Sequence, residues 1–142
     1  MVVKRNIITA RLKELDRVVQ ELRQYENTTL AELQSELSRR WILERGLIAA
    51  ATLILDIADH ILSGQFSEYA NTYEESLNGL QKHGVISFLL YGAIKGLGSF
   101  RNVLVHLYQE IDPQQVLDSY QKALTVFPAF AGEILSWLDE QE

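Results

Sequence analysis

The segment Phe100-Arg101-Asn102-Val103-Leu104-Val105-His106-Leu107-Tyr108 holds the residues of this chain best suited to phosphate chemistry. An arginine presents a planar fork of donors that fits phosphate oxygens and keeps its charge at any physiological pH. A histidine ordinarily titrates near pH 6.5, so it can take up or release a proton around neutrality. Together they offer charge to hold an anion and a group to move its protons. Asn102 adds a donor and an acceptor, and Tyr108 adds a hydroxyl.

The spacing says more than any single residue. With 8 Arg and 3 His among 142 residues, an Arg five positions before a His is expected by chance about 0.17 times. Requiring Tyr two residues after the His lowers this to about 0.007, and Asn directly after the Arg to about 0.0003. On an ideal helix Asn102 and His106 lie one turn apart on a shared face, while Arg101 and His106 differ by about 140°. One helix alone therefore does not aim both at one phosphate. A two-fold dimer would set a second Arg101 and His106 opposite the first and supply both an acid and a base. Each residue also has a purely structural role open to it. Arg101 and Asn102 could bond carbonyls or acids of neighbouring helices, His106 could be a hydrogen-bonded interior histidine, and Tyr108 a half-buried tyrosine with a wet hydroxyl.

The surrounding charge is uneven. The chain carries 13 Lys plus Arg against 19 Asp plus Glu, a net −6. From Ser76 to Gln109 there is no acid at all, while Lys82, Lys95 and Arg101 remain, so this window stands at +3. Either the segment is largely buried, or acids are kept from a site that meets an anion. The acidity elsewhere argues against indiscriminate coating of nucleic acid, which is won by neutralising phosphates. Without cysteine there is no disulfide, no thiol nucleophile and no cysteine-based zinc site, which suits a reducing cytosol. The length fits one domain over residues 1–142. The N-terminal residues lack the apolar core of a signal peptide, so a cytoplasmic location is expected.

Helical periodicity runs through the chain. Ile8, Leu12, Leu15, Val19 and Leu22 form one stripe on a first helix from about residue 4 to 25. Thr29 and Glu32 make a capping box for a second helix, long and nearly all apolar from Leu47 to Ala58, reaching Leu62 before Ser63-Gly64. A membrane span is the alternative for that run, but Asp56, Asp59 and His60 cut it short. Thr72 and Glu75 form another capping box for a helix stopping at His83-Gly84. An apolar stretch from Val85 reads as one helix through His106, despite Gly92, Gly96 and Gly98. Asp112 at the N-cap with Pro113 behind it starts the next, and Pro128 ends or kinks it before a last helix around Trp137. The class is all-α, a bundle of five to six helices.

Arg-Asn-x3-His-x-Tyr at the end of an apolar helix, followed by Glu110 and Asp112, resembles the HEPN superfamily, and within it the HepT-like toxins. Glu44-Arg45 ahead of the apolar run, Asp56 to His60, Thr72-Tyr73 and Gly98-Ser99 extend the likeness along nearly the whole chain. The resemblance implies a small helical homodimer paired with an MntA-like minimal nucleotidyltransferase antitoxin, a type VII toxin–antitoxin system. It implies a metal-independent endoribonuclease with Arg101 and His106 as catalytic residues in a cleft at the dimer interface. Asn102 would support them, and Tyr108 would be the acceptor of AMP from the antitoxin. No cofactor, membrane or DNA is expected. RNA can be cut this way because its own 2′-hydroxyl attacks the adjacent phosphate, given a base, an acid and positive charge on the crowded phosphate. The alternative is a non-catalytic HEPN partner, or substrate-binding subunit, of a nucleotidyltransferase. Asp56, Asp59 and His60 invite a metal site only weakly, since a histidine near a helix C-terminus is favoured by the helix dipole. Asp56 is expected to bond inside the bundle or sit near a dimer axis.

Overall fold

The computed structural model describes residues 4–106 and 111–141, and every regular element among them is a helix. Helix α1 (Arg5–Arg23) buries the expected stripe, Ile8, Leu12, Leu15, Val19 and Leu22. After it, Thr29 Oγ1 accepts from the Glu32 amide at 3.2 Å, and the Thr29 amide donates to Glu32 Oε1 at 3.2 Å. Both arms of the capping box are thus made.

The long second helix is divided. α2 (Leu30–Ser35) stops at Glu36, whose backbone is extended, and α3 (Leu37–Phe66) begins directly after it. The break lets α2 pack across α7 (Pro113–Glu140) as well as against α3, with Leu33 buried. α3 also runs past Ser63-Gly64. Gly64 stays helical and buried, and the helix ends at Ser67, which takes a left-handed conformation at φ 52°. By length and composition α3 could cross a membrane. Here its buried face, from Leu43 to Leu62, lies at the centre of the core, packed on α1, α4 (Tyr73–Lys82), α6 (Leu97–His106) and α7, while Leu37, Trp41 and Ile42 are exposed.

α4 starts where Thr72 Oγ1 accepts from the Glu75 amide at 3.1 Å. The reciprocal arm goes elsewhere, because Glu75 Oε2 takes the Asn71 amide at 2.8 Å. The helix ends at His83 and Gly84 as expected. The following apolar stretch is two helices rather than one. α5 (Phe88–Ile94) and α6 are separated by Lys95-Gly96, and Gly96 at φ 90° occupies a region that disfavours side chains.

Asp112 and Pro113 start α7 as read, with Asp112 Oδ1 accepting from the Gln114 amide at 3.0 Å. Pro128 does not end it: α7 is continuous through that residue. A proline has no N–H for the carbonyl four residues back, so Leu124 loses its helical donor. Arg23 Nη2 donates to that carbonyl at 2.7 Å and ties α1 to α7 where the ladder is interrupted. Nearby, the buried Tyr120 hydroxyl donates to the Leu22 carbonyl. Burial, aided by the charge of Glu26, pushes its pKa up to about 12.

Candidate functional site

α6 is held against the bundle at its first turn. A Cβ on Gly98 would come within 2.5 Å of Tyr73 Cβ, so only glycine lets α6 sit this close to the start of α4. Glu74 Oε1 accepts the Gly96 amide at 2.9 Å and fixes the turn ahead of the helix. Leu104 is buried beneath, which leaves Asn102 and His106 exposed on α6 and Arg101 half-buried at its edge.

Arg101 is half-buried and lies against α3, its Nε donating to Thr52 Oγ1 at 3.3 Å. Its Nη1 donates to Asn102 Oδ1, also at 3.3 Å. These two neutral acceptors orient the guanidinium without neutralising it, and Arg101 forms no ion pair with a described carboxylate. Asn102 is exposed and lines a polar cleft of about 430 Å³ with Asp59, Thr72, Tyr73 and Ser76. His106, in the last turn of α6, is exposed and forms no hydrogen bond among the described residues. An interior, bonded His106 is therefore not what the fold builds. Tyr108 lies outside the described residues, as does the segment from 107 to 110.

Two features escaped the sequence. Thr52 stands in the apolar run of α3, and only the packing of α6 on α3 shows that it anchors Arg101. Its spacing four residues before Asp56, both polar in an apolar stretch, was the available signal. The acid-free window is also free of acid in sequence only. Asp59 reaches the Asn102 cleft from α3 and accepts a hydrogen bond from the Ser76 hydroxyl. Asp56 is exposed one turn from Thr52 and forms no hydrogen bond or ion pair among the described residues.

The remaining histidines serve other places. His60 faces α1, and its buried Nε2 has no hydrogen-bond partner among the described residues. Burial, then the charges of Arg11 and Lys4, pull its pKa below the usual histidine value. His83 stacks on Phe66 with ring centroids 3.9 Å apart and meets Glu68 through Nε2 at 2.7 Å. Among the described residues no three His, Asp or Glu gather as a metal site would require.

A helical bundle of this order, with an Arg-Asn-x3-His segment along its sixth helix, is of the HEPN type. The chain belongs to the ribonuclease HepT-like family, whose model matches residues 6–134. It is 34% identical over 132 residues, 93% of this chain and 90% of the relative, to the tRNA nuclease HepT of Aphanizomenon flos-aquae (strain 2012/KM1/D3). Among solved structures it is similar to the cytosolic protein of unknown function YutE from Bacillus subtilis, with a TM-score of 0.83, 22% identity, and coverage of 99% of this chain and 95% of that one. The tri-AMPylated HEPN toxin of Shewanella oneidensis, solved in complex with its MNT antitoxin, superposes with a TM-score of 0.82 at 22% identity, covering 92% of this chain and 97% of that one.

Proposed function

We propose that this chain is the toxin of a type VII HEPN/MNT pair, a metal-independent endoribonuclease of the cytoplasm working as a homodimer. The observation that carries this is the pairing of a positioned Arg101, which meets no described carboxylate, with an exposed His106 that has no partner among the described residues. One subunit leaves the two side chains separated around α6, and a two-fold neighbour completes the set. The unprotonated imidazole of His106 takes the proton from an RNA 2′-hydroxyl as its oxygen attacks the adjacent phosphorus. The protonated imidazole of the partner subunit's His106 gives a proton to the departing 5′-oxygen. Arg101 donates to the non-bridging oxygens, whose charge grows as five oxygens crowd the phosphorus. The products are a 2′,3′-cyclic phosphate and a free 5′-hydroxyl, and no metal enters the balance.

The outer surface of α3 supports the dimer. Leu37 and Trp41 are 54% and 55% exposed, and the stripe from Trp41 through Ile48 leads to Thr52, the anchor of Arg101. Exposed apolar area of this kind is typical of surfaces that meet a partner. tRNA is the first substrate to test, because the curated relative is named a tRNA nuclease. An MntA-like antitoxin would neutralise the toxin by transferring AMP to Tyr108.

The test is incubation of purified protein with tRNA in excess EDTA, reading product ends. Cleavage leaving cyclic phosphates, abolished by His106→Ala and by Arg101→Ala, is the expected result. Cleavage that survives His106→Ala, or stops when metal is removed, would sink the mechanism. Coexpression with an MntA-like nucleotidyltransferase should add AMP-sized mass that Tyr108→Phe removes. Modified protein that never cuts RNA would mark the chain as a non-catalytic partner.

A further inference from the structure

α3 carries a ridge left open among the described residues. α1 packs on one flank of it, where a Cβ on Gly46 would come within 2.4 Å of the Leu22 side chain, and α6 on the other, where Thr52 accepts from Arg101. Gly46 and Thr52 stand about 120° apart around the helix. Arg45, Ala49 and Asp56 lie on the arc between them, and with Thr52 they follow one another at spacings of four, three and four, the seam spacing of paired helices. Arg45 and Asp56 are exposed, and neither forms a hydrogen bond or ion pair among the described residues. They are about 16 Å apart along the axis and so cannot pair with each other.

The order along this ridge reads the same from both ends with the charge reversed. Arg45 and Asp56 stand outermost, the half-buried Ile48 and Leu53 come next, and Ala49 and Thr52 occupy the middle. A second α3 laid antiparallel over the same midpoint sets base against acid, apolar against apolar and small against small. That symmetry singles out a copy of this chain as the occupant, because a two-fold contact pairs residue i with j and j with i, and an unrelated partner needs no such pattern. A slip that brings Arg45 to face Arg45, or Asp56 to face Asp56, sets like charges together, so charge fixes the register. The small residues in the middle let the two helices approach to about 8 Å.

We infer that two copies of this chain pair antiparallel along α3, with the two-fold axis between Ala49 and Thr52 and with Arg45 meeting the partner's Asp56 at both ends of the contact. Such an axis is perpendicular to both helices and to the line joining them. Whatever flanks α3 on one side in one copy is therefore met by its equivalent on that same side in the other. Both α6 helices fall on one side of the pair and both α1 helices on the other. Thr52 belongs to the central turn, so the two Arg101 side chains that it orients come together beside the axis. The catalytic meaning of this arrangement rests on the ribonuclease reading above, whereas the interface itself is measured without RNA.

The experiment is sedimentation equilibrium of the full chain. The unaltered protein is expected to be a dimer at micromolar concentration. Arg45→Glu and Asp56→Arg change exposed positions only, and should leave the helical circular dichroism as it was. Each sets like charges together twice per dimer and should raise the dissociation constant about a hundredfold or more. Mixing the two variants makes both contacts opposite in charge again, so a heterodimer should form with a dissociation constant within about tenfold of the unaltered protein. A monomeric unaltered protein, single variants that dimerise as tightly as it does, or a mixture that stays monomeric would each overturn the interface. An intact dimer that cuts no tRNA would leave the interface standing and remove the ribonuclease reading instead.

Discussion

Removing the Arg23 side chain should cost far more stability with proline at 128 than with alanine there. Pro128 deprives the Leu124 carbonyl of its helical donor, and Arg23 Nη2 replaces that donor at 2.7 Å from another helix. A hydrogen bond from a charged group contributes about 1.5–3 kcal/mol, and a buried carbonyl left bare costs a comparable amount. The contact is only partly buried, so Arg23→Ala should destabilise the protein by about 2 kcal/mol, the lower part of that range. In a Pro128→Ala background the residue-128 amide serves the carbonyl itself. Arg23→Ala should then cost about 0.5–1 kcal/mol, the net worth of an ordinary bond. The coupling of the two sites is therefore about 1–1.5 kcal/mol. Urea unfolding of the four proteins, followed by far-ultraviolet circular dichroism at one fixed protein concentration, measures it. Equal slopes against urea should accompany the shift in midpoint. Costs that add to within about 0.3 kcal/mol would show that Arg23 does not stand in for the missing donor, and the account of how α7 passes Pro128 would fail.

Thr52→Val keeps the shape beside Arg101 but removes the oxygen that accepts from its Nε. Losing one such bond, about 0.5–1.5 kcal/mol, should slow RNA cleavage roughly two- to tenfold through kcat, with the melting temperature nearly unchanged; an unaltered kcat would remove Thr52 from the site. Gly98→Ala forces a methyl to within 2.5 Å of Tyr73 Cβ, and should destabilise by about 1–3 kcal/mol, as overpacking does, measured by the same urea unfolding. His60 makes a pH prediction whose sign follows from its burial. Its folded pKa lies below the unfolded value, so the unfolded chain binds more protons as pH falls through that interval. The stability associated with neutral His60 is full above pH 6.5 and is lost as pH drops towards the folded pKa. His60→Gln should therefore flatten the fall in melting temperature between neutral and mildly acidic pH; an unchanged slope assigns the acid sensitivity to other groups.

What was legible in the sequence is what is decided locally. The α1 stripe, the Thr29–Glu32 box, the Asp112-Pro113 start and the His83-Gly84 stop each depend on residues within one turn of each other, and each appears in the structure. The misplaced boundaries depend on partners far away in sequence. Glu36 breaks a helix so that α2 reaches α7. Pro128 fails to break one because α1 supplies a donor. Gly96 separates α5 from α6, and Glu74, twenty-two residues earlier, holds that turn. The same division applies to the site. Arg101, Asn102 and His106 announce themselves by type and spacing, whereas Thr52 and Asp59 join them only because α6 lies on α3. Proximity across helices is a property of packing, and no spacing rule within one helix contains it.

The consequence of placing Thr52 on α3 reaches into how this chain tolerates genetic change. α3 buries Ile54, Leu55, Ile57 and Ala58 while its outer side carries the oxygen that orients Arg101. One inserted or deleted codon upstream within the helix rotates everything after it by about 100°. Such a lesion would expose the core and unseat the arginine at once, so lineages could lengthen the connection before α4 freely, while α3 itself would accept substitutions but not changes of length.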